Sequence, residues 1–92
     1  MNSAKISNRR LALDCIVIAN NALANGITLD DFRKEWPVES DSDKLLWQLM
    51  HEVEHYLVDV DIRLKEPNYE QYQVGVIRAL INDVAAKYKA EP

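Results

Sequence analysis

The chain has 92 residues, 15 acidic against 11 basic, with 48% apolar and 28% charged side chains and only 2 Gly and 3 Pro. That is material for a single domain, residues 1–92, with one modest core, and it holds too few breakers for a disordered or fibrous chain. Cys15 has no second cysteine to pair with, which excludes a disulfide scaffold and a zinc finger. The basic residues gather only at Lys5, Arg9 and Arg10, whereas 39–61 holds Glu39, Asp41, Asp43, Glu52, Glu54, Asp59 and Asp61 against Lys44 alone. Such a surface repels phosphate backbones and anionic lipid, so neither nucleic acid nor a membrane is expected as a partner.

The N-terminal stretch imitates a secretory signal, since Lys5, Arg9 and Arg10 precede apolar residues that end in Ala22-Leu23-Ala24. Asp14, Asn20 and Asn21 break that pattern, because an Asp in the apolar core costs about 2.5 to 3.5 kcal/mol on insertion. The stretch reads instead as the first helix of a cytoplasmic protein. It runs from Ser7 or Asn8 to Asn25, with Leu11, Cys15, Ile16, Ala19, Ala22 and Leu23 on one broad face and Gly26 placed to take the left-handed closing conformation. A short second helix follows, with Thr28 as N-cap, Asp30 and Asp31 in the first turn, and Leu29, Phe32 and Trp36 along one side. Pro37 ends it.

The third helix is expected to be the longest. Ser40, Asp41 and Ser42 offer caps, Pro67 stops it, and the intervening length is roughly 24 residues or about 36 Å. Leu46, Leu49, Val53, Leu57, Val60 and Leu64 recur at steps of three and four and form its inward stripe. The fourth helix is expected to start at Asn68, capped with help from Gln71, and to turn Val74, Ile77, Leu80, Ile81, Val84 and Tyr88 inward. Three long helices and one short one with brief connections predict an all-α fold, a small antiparallel helical bundle in which the short helix bridges the first and third. Leu49, Val53, Leu57 and Ile77 are its expected core. The second and third helices superficially suggest a helix-turn-helix DNA reader, but the third would lead with Asp41, Ser42 and Asp43 and so present carboxylates to phosphate.

His51-Glu52-Val53-Glu54-His55 fits HExxH and so resembles the zincin metalloprotease signature. The resemblance covers five residues and implies zinc ligation by His51 and His55, with Glu52 as general base. The context departs from it. Where many such enzymes place a turning Gly and a third ligand, this chain has Val58 and Asp61; on a continuing helix Asp61 lies about 9 Å beyond His55 and about 120° around. Glu52-x-x-His55 also matches half of a di-iron carboxylate motif, which needs two such pairs and two further Glu inside a bundle. No catalytic residue is therefore assigned, no cofactor is expected beyond zinc at His51 and His55, and the alternative function is a metal-binding helical domain.

The same face carries a second stripe, Trp47, His51, Glu54, Val58 and Ile62, flanked by Met50 and His55. A helix with apolar residues on two sides must be covered on both, either by the second helix folding Phe32 and Trp36 against Trp47 or by a partner. Trp47, His51, Val58 and Ile62 are the candidate interface. The expected function is protein binding, either as a homodimer or to another protein that the acidic middle segment suggests is basic, by analogy with antitoxins and immunity proteins.

Overall fold

Five helices and no strand make up the described residues, 8–37 and 43–88, of the computed structural model: α1 (Asn8–Leu23), α2 (Leu29–Glu35), α3 (Lys44–Val58), α4 (Val60–Lys65) and α5 (Pro67–Tyr88). The all-α class expected from periodicity is the class the chain adopts. α1, α3 and α5 pack pairwise, with the most extensive contact between α3 and α5, while α2 lies on α3 and α1, and α4 on α5.

Core and periodicity agree through most of the chain. Leu11, Ala12, Cys15, Ile18, Ala19 and Ala22 face inward from α1, Leu46, Leu49, Val53 and Tyr56 from α3, and Ile77, Val84 and Tyr88 from α5. Each large aliphatic among them contributes about 1.5 to 3 kcal/mol by leaving water. Leu57 is half-buried at the edge of this cluster rather than at its centre.

The helix ends follow local chemistry. α1 closes with Asn25, not Gly26, in the left-handed region at φ 60°. The Gly26 amide donates to the Asn21 carbonyl at 2.8 Å and the Asn25 amide to that of Ala22 at 3.1 Å, the paired bonds of a Schellman closure. Asn tolerates that conformation because its short polar side chain compensates locally. Thr28 caps α2 as expected, its hydroxyl accepting from the Asp31 amide at 3.1 Å. Of the caps expected for α3, Ser40, Asp41 and Ser42 lie outside the described residues. Asp43 is its N-cap and accepts from the amides of Leu45 (2.9 Å) and Leu46 (3.1 Å). α5 begins one residue earlier than expected, with Pro67 in the first turn, where its missing N–H is harmless, and with the Glu66 carbonyl rather than the Asn68 side chain opening the helix.

The largest departure is at Asp59. The single long third helix is broken there into α3 and α4 by a backbone at φ −87°, ψ 23°. Past the break the inward stripe is lost: Val60 and Leu64, expected in the core, are exposed, and Arg63 is buried in their place. The sequence 58–64 explains why. Val58, Val60, Ile62 and Leu64 alternate with polar residues, so a helix through them sets two pairs on opposite sides, and no single core can cover both.

Candidate functional site

All four expected interface residues are on the surface. Trp47, Val58, Val60, Ile62 and Leu64 are between 44% and 79% exposed, and His51 is exposed with them. The regular turns of α3 bring the first members into contact. The Trp47 indole stacks on the His51 imidazole with centroids 5.2 Å apart and planes 9° from parallel, and His51 meets His55 edge-on at 4.6 Å and 66°. Val58 follows on the same side, about 16 Å further along the axis and about 20° around from Trp47. Ile62 lies past the break, on α4.

The second helix leaves much of this face open. Phe32 and Trp36 are buried and pack on each other at 5.2 Å. α2 instead borders the face by an ion pair, Arg33 Nε to Glu54 Oε2 at 2.9 Å. Trp47 stays 44% exposed.

Beneath the break lies a polar cluster that periodicity did not foresee. The buried Arg63 guanidinium donates from Nε to the Tyr56 carbonyl at 2.8 Å, lies 3.7 Å over the Tyr56 ring, and reaches Glu70 at 3.2 Å. Arg63 thus occupies a carbonyl of the last turn of α3 while its charge rests on an aromatic face. Asp59 accepts from the Tyr69 hydroxyl at 2.9 Å and from Gln73 Nε2 at 3.3 Å, which ties the break to α5. The Asp59 hydrogen bond, then burial and the charges of Asp59, Glu52 and Glu66, hold the Tyr69 hydroxyl above its ordinary pKa. Gln73 Oε1 is buried without a hydrogen-bond partner. The strand-like alternation at 58–64 was the available signal for this cluster, because it marks where a helical stripe must fail.

The metal donors stop at two. Among the described residues no group of three His, Cys, Asp or Glu is placed to hold an ion. Asp61 stands on α4 beyond the break, and Glu52 is half-buried on α3. The donor set does not fit the three protein ligands of a zincin centre. Among the described residues, clefts beside α5 of about 380 Å³ at Asn20, Arg78 and Asn82 and about 220 Å³ at Leu13, Ile16 and Tyr88 do not gather a nucleophile with a base. Among the described residues no helix is long and apolar enough to cross a membrane.

Compared with protein-family models, with curated proteins and with solved structures, the chain has no match.

Proposed function

We propose that the chain acts by binding another protein, with the exposed face of α3 and α4 docking a basic partner segment that has an apolar side. The observation that carries this reading is Trp47 and Val58, about 20° apart around α3, followed four residues on by Ile62, all left open to water. Large apolar side chains concentrated in one stretch are the mark of a surface that is covered in use. Charge selects the occupant. Glu52, Asp59 and Asp61 accompany the face, with Glu54 already paired to Arg33, so a second copy would bring carboxylates against carboxylates, whereas a Lys- or Arg-bearing segment meets them favourably.

A short amphipathic peptide of Lys and Leu, with the matching Glu and Leu peptide as control, supplies the test. Fluorescence anisotropy of the labelled peptides should show binding of the basic peptide alone, and Val58→Asp and Ile62→Asp should each weaken it about tenfold or more while the protein stays folded. Equal affinity for both peptides, or no effect of either substitution, would refute the reading. Light scattering that shows a dimer, dissociated by Ile62→Asp, would replace the basic partner with a second copy of the chain.

A further inference from the structure

We propose that His51 and His55 form a two-nitrogen site for a borderline divalent transition-metal ion, tightest for Cu²⁺, on the exposed face of α3. This does not depend on the docking partner. The distance between the rings is the first argument. A metal–nitrogen bond of about 2.0 to 2.1 Å, extended by about 1.1 Å from nitrogen to ring centre, puts each centroid about 3.1 Å from the ion. Two imidazoles at angles between square (90°) and tetrahedral (109°) then have centroids about 4.4 to 5.2 Å apart. His51 and His55 stand at 4.6 Å.

Preorganisation is the second argument. His51 and His55 are four residues apart within the regular helix α3, and the Trp47 ring stacked on His51 at 5.2 Å limits the ring planes that His51 samples. Ordering one of the two ligands in advance lowers the entropy cost of chelation. The third argument is charge. Glu52 adjoins His51 in sequence and the chain carries a formal net charge of −4, and a negative surface raises the local concentration of divalent cations.

The ligand set decides which ions. Two imidazoles with the remaining positions open to water suit Cu²⁺ first, then Ni²⁺ and Zn²⁺, following the general order of affinity for nitrogen donors. Mg²⁺ and Ca²⁺ demand oxygen ligands and are not bound here. The open positions also leave room for a donor from a docked protein, so an ion held at this site would sit inside the proposed interface.

The test is titration of the full chain with CuCl₂, ZnCl₂ and MgCl₂ by isothermal calorimetry, alongside tryptophan fluorescence. Cu²⁺ is expected to bind one-to-one, to quench Trp47, which stacks directly on a ligand, and to be bound more tightly than Zn²⁺, with no heat from Mg²⁺. His51→Ala and His55→Ala should each weaken Cu²⁺ binding about tenfold or more, and circular dichroism should be unchanged because both imidazoles are exposed. Trp47→Phe should remove the quenching and keep the heat. Cu²⁺ binding that survives undiminished in the double variant His51→Ala/His55→Ala would overturn the proposal and assign the ion to carboxylates or the chain terminus. Absence of a one-to-one Cu²⁺ heat in the unsubstituted protein would overturn it as well.

Discussion

Replacing Arg63 with Ala should destabilise the fold by about 2 to 4 kcal/mol, which is unusual for a basic residue in so short a helix. The magnitude follows from what its guanidinium touches. The Nε hydrogen bond to the Tyr56 carbonyl is buried at 2.8 Å, and stranding that acceptor costs about 1 to 3 kcal/mol. The cation 3.7 Å above the Tyr56 ring adds about 1 to 2 kcal/mol in a desolvated site. The ion pair to Glu70, whose side chain is 44% exposed, adds less than about 1 kcal/mol because water screens it. These contributions overlap, so the expected total lies below their combination. Urea denaturation followed by circular dichroism measures it directly. Arg63→Lys keeps the charge but not the planar stack, and should recover less than half of the loss. A midpoint for Arg63→Ala equivalent to less than about 0.5 kcal/mol of change would show that the guanidinium does not hold the α3–α4 junction.

Leu49→Ala, at a position with no exposed area, should cost about 2 to 4 kcal/mol by thermal or urea unfolding, and a cost below about 0.5 kcal/mol would put the core elsewhere. Leu64→Asp should change stability by less than about 0.5 kcal/mol in the same assay, since the side chain already faces water; a loss of several kilocalories would restore the unbroken helix. Burial pushes the Asp43 carboxyl up, but hydrogen bonds from Lys87, Leu46 and Leu45 and the Lys87 charge outweigh it and leave its pKa below the ordinary 3.8. A depressed folded value gives stability that is present above the unfolded pKa and lost as pH falls through the folded one. Asp43→Asn should therefore be less stable at pH 7 and lose less stability on acidification from about pH 5 to 2, and parallel acid limbs would refute this. Tyr69 carries the opposite sign: its raised pKa stabilises the fold below the unfolded value near 10 and that contribution is lost as pH rises through the folded value. Tyrosine absorbance followed against pH should lose a late-ionising component when Tyr69 is replaced by Phe.

The stripe of α3 was legible as far as Val53 because a repeat of 3.6 residues states which face is dry, and Leu46, Leu49 and Val53 obey it; one turn on, Tyr56 takes the buried place expected of Leu57. Val60 and Leu64 continue the same arithmetic, yet they are exposed, because the backbone turns at Asp59 and carries them out of register. What decides the turn is not local: it takes Tyr69 and Gln73 from α5 to hold Asp59, and Glu70 to hold the far side of Arg63. Periodicity reads one element at a time and cannot see bonds between residues 10 or 14 positions apart. Trp47, His51 and Val58 were legible as a second exposed stripe for the complementary reason, since a stripe opposite the core is visible within the helix itself, and Ile62, past the break, is exposed as well. Arg63 escaped notice because a basic residue near a helix end is ordinarily read as solvated.

Cys15 sits in α1 with no exposed area and outside any disulfide, which makes the chain its own stopwatch for opening. A thiol reagent such as a disulfide dye gains access to that sulfur only when α1 parts from α3 and α5. If closing outruns the chemistry, the labelling rate is the rate for an unstructured thiol multiplied by the fraction of time spent open. At a stability of about 5 to 8 kcal/mol that fraction is about 10⁻⁴ to 10⁻⁶, slow enough to follow by absorbance over hours and without denaturant. Surface and core substitutions can then be ranked under native conditions by a single colour change, through an atom that the sequence already supplies.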